Sequence, residues 1–524
     1  MTIARLLLRS AQLWADRPAL IDAASGHSLS FSELAAACFR FGAALRQHGL
    51  SSGDRVALLA DASAAYLIAD YGTMSAGLVR VPLDPSLAAD ELANQVRDAE
   101  ARILLHDAPR AALAKQVGAG AGAGIDLLSI DAAVRDAAPV GGLAAPPGDE
   151  ALVFRSLASL NYTGGTSGEP KAVMLSHGNL RAIVQNIVMA RAAGSAMGPG
   201  DVMVNMRPLW PIAAVIVLGH LAAGGTVVLG GRFESARMVA LLEQHRAAAT
   251  SMVPTHLVRL LRDCQPSALR ALTALRAIDM GAAAVPADTF EQALDAFGPK
   301  IGVLYGLTEA SWSCYQPPSA FDVPLEIRKS RMTSVGRPVF GCDLMIAGEA
   351  GPAPPGQPGE ILIRGAHVMQ GYWKRPDLTA QALDNDWFRT GDLGAVGEDG
   401  VVSILGRIKE VIRTGGKSVQ PSEVEETLRQ YPGVEEASVV GVPDAEWGEI
   451  VTALVVPAPG AEIAESALKA HCATSLSPHK RPKLIRIVSE LPKSHYGKIQ
   501  RGKVRDVVTE LYHRSASGAA PRDT

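Results

Sequence analysis

"ALVFRSLASLNYTGGTSGEPKAVMLSHGN" occupies residues 151–179. It opens as an apolar, strand-like run and then gathers glycines, hydroxyl residues and a lysine. Gly164, Gly165 and Gly168 tolerate positive φ and close approach, so neighbouring backbone N–H groups can converge on one anion. Thr163, Thr166 and Ser167 add hydroxyl donors, and Lys171 adds a positive charge. The spacing is not that of the kinase-type loop G-x-x-x-x-G-K-[ST], because Gly168 is followed by Glu-Pro and Lys171 comes three residues later. On these residues alone, a phosphate loop and a plain surface turn both stay open.

The segments around it set the fold class. "SFSELAAACFRFGAALRQHG" has apolar residues at helical spacing and ends on glycine, whereas "DRVALLAD", "ARILLHD" and "GTVVLGG" are short apolar runs of buried-strand type. Helix and strand alternate in this way over the first two thirds of the chain. The alternation predicts an α/β domain of doubly wound, mostly parallel sheets with helices on both faces. At 524 residues the chain is too long for one hydrophobic core, so two or more domains are expected. From about residue 335 short strands and tight turns dominate, as in "GEILIRGAHVMQGYW" and "DWFRTGDLGAVGEDGVVSILGR". They predict a β-rich subdomain over about 335–408, closing a large domain 1–408. "SVQPSEVEETLRQYPGV" then predicts a helix in which Ser422 and Glu425 form a capping box. With the strands "EASVVGV", "TALVVPA" and "LIRIVSELP" and a helix around 463–475, it makes a small α+β domain, 409–514. The tail 515–524 has a disordered composition. "GAGAGAG" (118–124) and "PVGGLAAPPGDE" (139–150) read as a loop and a linker.

Composition excludes several classes. Hydrophobic residues at 48% and charged residues at 20% predict a soluble globular protein. A net charge of −3 argues against a nucleic-acid binder, which carries a basic domain. "PIAAVIVLGHLAAGG" is cut by His220 and ends in a glycine pair, short of the roughly 18–20 apolar residues of a membrane span. The N-terminal "MTIARLLLRSAQLWADRP" reads as an amphipathic helix and not a signal peptide. Five scattered cysteines without a CxxC pair predict neither a metal site nor a disulfide framework, and fit a reducing cytoplasm. Cys314 reads as a packed residue, since nothing nearby looks like a general base.

Further motifs follow in fixed order: "YGLTE" (305–309), "SVGRPVFG" (334–341), "GYWKRPDLT", "DWFRTGDLG" (386–394), "GRIKEVIRTGGKSVQPSEVE" (406–425), "GVPDAEWGE" (441–449) and "LPKSHYGKIQR" (491–501). Together with "YTGGTSGEPKAV" (162–173), they make the chain resemble the acyl-adenylate-forming, AMP-binding superfamily. That superfamily holds acyl- and aryl-CoA ligases, to which the chain is most similar, peptide-synthetase adenylation domains and luciferases. The resemblance runs from about residue 10 to about 510. It implies activation of a carboxylic acid by ATP and Mg²⁺ to an acyl-AMP, then transfer to the thiol of coenzyme A.

The resemblance also implies roles. Thr163, Gly164, Gly165, Thr166, Ser167, Gly168 and Lys171 would wrap the β- and γ-phosphates. Thr308 would touch the α-phosphate, and Glu309 would hold Mg²⁺, a hard cation suited to carboxylate oxygens. Tyr305 would stack on adenine beside Gly281, Ala282, Ala283 and Gly306. Asp392 would accept from the ribose hydroxyls, supported by Arg407. Lys498 would be the catalytic charge at the bridging and carboxylate oxygens. Lys409 would be the hinge of a mobile C-terminal domain, whose rotation brings Gly415, Gly416 and Lys417 to the thiol arm. "PKSHYGK" (492–498) matches the pattern around acetylated lysines of bacterial relatives, which implies a lysine acetyltransferase acting on Lys498.

Four departures stand out. Gly164 replaces a common serine, Ala172 a glycine, and Tyr496 a small residue, none of which removes a charge. The fourth is Trp210-Pro211, where many relatives carry phenylalanine–histidine. Next to it, Ile212 stands where amino-acid-activating relatives place aspartate and hydroxybenzoate-activating ones asparagine. An ammonium left unpaired against Ile212 would be costly. The pocket of Trp210, Pro211, Ile212, Val215, Gly281 and Gly306 therefore predicts an apolar acyl or simple aryl acid. The alternative is that 212–217 is core with little substrate contact. Two rival functions stay in view: loading of an acyl carrier protein in place of CoA, and a non-catalytic nucleotide-binding relative.

Overall fold

The computed structural model describes residues 2–122, 124–137, 154–163, 171–194, 197–283, 285–348, 351–493 and 499–516. The chain splits into two compact units. One comprises Met1–Met345, Leu362–Thr390 and Gly400–Val402; the other comprises Ile346–Ile361, Gly391–Asp399 and Ser403–Thr524.

The first unit carries two sheets. The nine-stranded sheet has a parallel centre in the spatial order Ile301–Tyr305, Ala277–Met280, Ala249–Met252, Val202–Asn205, Thr226–Leu229 and Pro18–Asp22. Antiparallel strands close it at both edges. The seven-stranded sheet runs parallel through Asp126–Ser129, Ala101–His106, Arg55–Leu59, Val79–Pro82 and Leu157–Thr163. It then turns antiparallel into Lys171–Ser176 and Gly371–Tyr372. Val79–Pro82, Thr226–Leu229 and Ala249–Met252 are buried at every position, as expected of parallel strands covered by helices on both faces. The predicted strands in "DRVALLAD", "ARILLHD" and "GTVVLGG" are all present.

Helix Phe31–Gln47 is held at its start by a capping box between Ser30 and Glu33, whose carboxyl is pulled below its ordinary range mainly by the Ser30 backbone N–H. It packs on helix Ala64–Ser75 at glycine contacts: a Cβ on Gly42 would lie 2.6 Å from the Gly72 carbonyl oxygen. Helix Ala64–Ser75 is buried from Tyr66 to its end.

One loop reading is corrected. Residues 118–121 continue helix Ala111–Ala121. Alanine favours the helix, and the glycines sit where neighbours press close: a Cβ on Gly120 would be 3.0 Å from the Ala93 Cβ, and one on Gly118 3.1 Å from Leu127. The linker 139–150 lies outside the described residues. The run 212–222 becomes helix Ala213–Ala222, buried from Ala213 to Leu221. Among the described residues, no helix is long and apolar enough to cross a membrane.

A third sheet supplies the predicted β-rich subdomain, with Gly351–Pro352, Asp343–Gly348, Gly359–Arg364, Trp387–Val396 and Leu383–Asp384 in order, and Val402–Arg407 pairing with Trp387–Val396. The small α+β domain is built on the long antiparallel pair Val434–Asp444 and Gly448–Pro457, with Leu484–Ile487 parallel to the latter. Helices Pro421–Arg429 and Glu465–Ser475 bury Val424, Leu428, Leu468 and Cys472 in one apolar cluster with this sheet. The predicted capping box is corrected here. Gln420 is the N-cap, and Ser422 Oγ donates to the Leu405 carbonyl. Glu425 instead accepts from the Val439 N–H and pairs with Arg501 at 2.6 Å. A charged partner 76 residues away outcompetes the local cap. The final helix, Arg501–Ala516, takes in the start of the predicted tail; 517–524 lie outside the described residues.

Candidate active site

In an open α/β sheet, ligands gather beyond the carboxyl ends of the strands. Strands Ala277–Met280 and Ile301–Tyr305 are parallel neighbours, with Met280 opposite Val303. Their continuations, Gly281, Ala282 and Ala283 on one side and Tyr305 to Glu309 on the other, therefore emerge side by side. Ala282 has φ +74°, a left-handed conformation uncommon outside glycine that persists only where the surroundings enforce it. After Tyr305 the chain doubles back tightly. A Cβ on Gly306 would lie 2.6 Å from the Trp312 nitrogen, so only glycine fits. Leu307 and Ala310 exchange backbone hydrogen bonds of 3.1 and 3.2 Å, with Thr308 and Glu309 at the tip between them.

Glu309 is fixed from a second direction. Its carbonyl accepts from the Met369 N–H at 2.8 Å, and its carboxylate Oε1 accepts from the Tyr372 hydroxyl at 2.9 Å. Strand Gly371–Tyr372 in turn pairs with Lys171–Ser176, placing the Lys171 ammonium 5.4 Å from the Tyr372 ring centre, within cation–π range. Lys171, Tyr372 and Glu309 thus form one row of charge, ring and charge. Thr163 stands opposite Lys171 in the hairpin. Gly164, Gly165, Thr166, Ser167 and Gly168, which the sequence reading places on phosphate, lie outside the described residues, as does Lys498. Tyr372 was missed by the sequence reading, although its motif "GYWKRPDLT" was singled out.

The predicted acid-side residues follow strand Val202–Asn205 on the same edge of the sheet. Trp210 is almost fully buried, Pro211 and Ile212 are half-buried, and Val215 is buried in the first turn of helix Ala213–Ala222. The peptide bond between Trp210 and Pro211 is cis. His220, in the same helix, is fully buried and its pKa falls to about 3, chiefly through desolvation. It is a neutral core residue and no general base at neutral pH. Cys314 is equally buried, and desolvation pushes its thiol well above its ordinary range, so it is not a nucleophile.

The second unit holds the other predicted residues. Asp392 is nearly buried, and its Oδ1 lies 2.9 Å from Arg407 Nε. Lys409 is exposed in the single turn Ile408–Glu410. Gly415 and Gly416 have φ +54° and +73° and form a two-residue turn between paired Thr414 and Lys417, the hairpin geometry that favours glycine at both positions. The Gly415 N–H donates to the Trp447 carbonyl at 2.9 Å. Trp447 is 40% exposed, with the Lys483 ammonium 5.0 Å from its ring centre. This aromatic surface beside the glycine turn also escaped the sequence reading, though "GVPDAEWGE" contains it.

These residues can hold Mg²⁺ only in a particular way. Among the described residues, no group of three or more His, Cys, Asp or Glu side chains is placed to hold a metal. A single fixed carboxylate at Glu309 suits a cation that takes most of its ligands from phosphate and water.

Comparison with known proteins gives the family and the fold. Residues 7–373 match the family described as AMP-binding enzyme, and residues 423–498 match the AMP-binding enzyme C-terminal domain. The chain is 36% identical to a feruloyl-CoA synthase of Amycolatopsis sp. over 484 residues, covering 92% of this chain and 94% of the relative. It is 34% identical to a sulfoacetate–CoA ligase of Cupriavidus necator over 516 residues, covering 96% and 97%. Its fold superposes on ATP-bound MatB from Rhodopseudomonas palustris with a TM-score of 0.87 at 31% identity, covering 98% and 100% of the two chains.

Proposed function

The chain belongs to the AMP-binding enzyme family, as an acid–thiol ligase of the AMP-forming acyl-CoA synthetase type, and from that premise we propose that it joins an apolar acyl or simple aryl acid to CoA. The observation that carries this reading is the fixed row of Lys171, Tyr372 and Glu309 beside the carboxyl ends of the parallel strands. An acid carboxylate would attack the α-phosphorus of ATP; the bond to the β-phosphate oxygen would break and pyrophosphate would leave. Both reactants are anions, so the protein's task is positive charge and in-line placement. Thr163 to Lys171 would bind the leaving pyrophosphate, Thr308 the α-phosphate, Tyr305 adenine, and Asp392 with Arg407 the ribose. Mg²⁺ bound at Glu309 would supply charge neutralisation of the phosphates. Lys498 would complete the charge at the reacting oxygens.

In the second half-reaction the CoA sulfur would attack the acyl carbon and AMP would leave. Rotation at Lys409 would bring the Gly415-Gly416 turn and the Trp447 face to the thiol arm. Lys409→Pro is expected to lower thioester formation about 10-fold more than ATP–pyrophosphate exchange, by restricting φ at the hinge. Equal loss of both half-reactions would count against the hinge.

The acid class rests on Ile212 and Val215, which offer an ammonium no partner, and on similarity to a feruloyl-CoA synthase. A panel of benzoate, cinnamate-type acids, medium-chain fatty acids, sulfoacetate, glycine and salicylate, scored by pyrophosphate release with and without CoA, tests it. Aryl or aliphatic acids should lead. Preference for glycine, salicylate or sulfoacetate would sink the pocket reading, and turnover only with a carrier protein would replace CoA as acceptor. A cytoplasmic setting is part of the proposal, since the cysteines are all free thiols.

A further inference from the structure

Arg80 and Asp70 are both fully inaccessible to solvent, and Arg80 Nη1 meets Asp70 Oδ1 at 2.7 Å. The rest of the guanidinium is spent on two other parts of the first unit. Its Nε donates to Ser159 Oγ at 3.0 Å, and its Nη2 faces Asn161 Oδ1 at 3.5 Å. Both residues lie in strand Leu157–Thr163, which leads into the candidate phosphate loop. The same Nη2 donates to the Pro211 carbonyl at 3.3 Å, across 131 residues of sequence.

A buried ion pair is a poor way to gain stability, because an apolar pair of similar volume does as well or better. This one is not even saturated: Asp70 Oδ2 and Asn161 Nδ2 are buried with no hydrogen-bond partner among the described residues. Its geometry is better explained by what it connects. Strand Leu157–Thr163 is held on both edges, by Val79–Pro82 and Lys171–Ser176, and does not need Arg80 to stay in place. Pro211 lies outside any strand or helix. The segment is also held by its own backbone, where the Ala214 N–H donates to the Leu209 carbonyl at 2.8 Å, and by the Tyr71 hydroxyl, which donates to the Ala214 carbonyl at 2.7 Å.

We propose that Arg80 is a positioning residue for adenylation, fixing the acid-side turn at Pro211 against the strand that carries the phosphate loop. The inference rests on the adenylation reading above. It makes Arg80 a determinant of how the acid is presented to ATP, although its own side chain is sealed from the substrate. Displacement of a reactant by a fraction of its working distance is enough to cost one to two orders of magnitude in rate.

The test is the paired substitution Asp70→Leu with Arg80→Met, which removes both charges at similar volume, alongside Arg80→Lys. With the best acid of the panel, the pair should lower kcat/KM for the acid in ATP–pyrophosphate exchange by about 10- to 100-fold while KM for ATP stays within about 3-fold. Arg80→Lys, which keeps the charge but not the planar fork, should fall between. Deuterium uptake, which needs no substrate, should rise in peptides covering 206–216 and stay at the wild-type level in 55–82. Unchanged uptake at 206–216, or a fall in kcat/KM for the acid accompanied by a rise in KM for ATP and in uptake throughout, would overturn the proposal. If the wild-type protein exchanges with no acid, the adenylation reading falls, and the uptake comparison still decides whether Arg80 holds the turn.

Discussion

Glu309→Gln is expected to lower ATP–pyrophosphate exchange by about 10²- to 10³-fold, the range for removing one preorganised electrostatic group from a transition state. Glutamine keeps the size of the side chain and an oxygen that can accept from Tyr372. The backbone of the tip is held by Met369 and by the reciprocal Leu307–Ala310 hydrogen bonds, none of which involves the side chain. The substitution therefore removes charge and little else, and the side chain is only half-buried. Stability should move by no more than about 0.5 kcal/mol, read as an unchanged melting temperature. The Mg²⁺ concentration for half-maximal exchange should rise in parallel, since a neutral amide is a poorer ligand for a hard cation. Exchange within about 3-fold of wild type at saturating acid and ATP would remove Glu309 from the mechanism.

Lys498→Ala should separate the two half-reactions. Adenylation brings carboxylate and triphosphate together, and a compact ammonium at their shared oxygens offsets that repulsion as the new bond forms. Its loss should reduce exchange by about 10²- to 10³-fold. Attack of a thiol on the acyl carbon of preformed acyl-AMP brings no carboxylate against a triphosphate, so CoA thioester formation from supplied acyl-AMP should remain within a few-fold of wild type. Near-normal exchange in Lys498→Ala would refute the assignment. Lysine acetylation at this position removes the same charge and should give the same asymmetry, reversible by a deacetylase.

Much of the fold was legible because it is encoded locally. The apolar centres of "ARILLHD" and "GTVVLGG" are short and bounded by polar residues or glycine, which suits parallel strands buried on both faces. The exceptions were decided by distant partners. Ser422 and Glu425 have the spacing of a cap, but Arg501 claims Glu425. Gly118 and Gly120 look like a flexible loop until Leu127 and Ala93 are seen pressed against them. The site shows the same division. Glu309 and Asp392 stood out through their neighbours in sequence. Tyr372 gains its meaning only when its strand is laid beside Lys171–Ser176, and Arg80 only when the turn at Pro211, which follows a strand of the other sheet, is laid against it.

The strand order has a practical corollary. The proposed nucleotide-side residues rise from Ala277–Met280 and Ile301–Tyr305, whereas the proposed acid-side turn follows Val202–Asn205, with Ala249–Met252 standing between them. On the proposed roles, engineering of acid scope would start in the short cassette 210–216, because the pocket's two nucleotide-side members, Gly281 and Gly306, have no room for a side chain: a Cβ there would lie 2.7 Å from Leu304 and 2.6 Å from the Trp312 nitrogen. The anchor a graft of that cassette must respect is the Pro211 carbonyl, a backbone atom that any residue supplies.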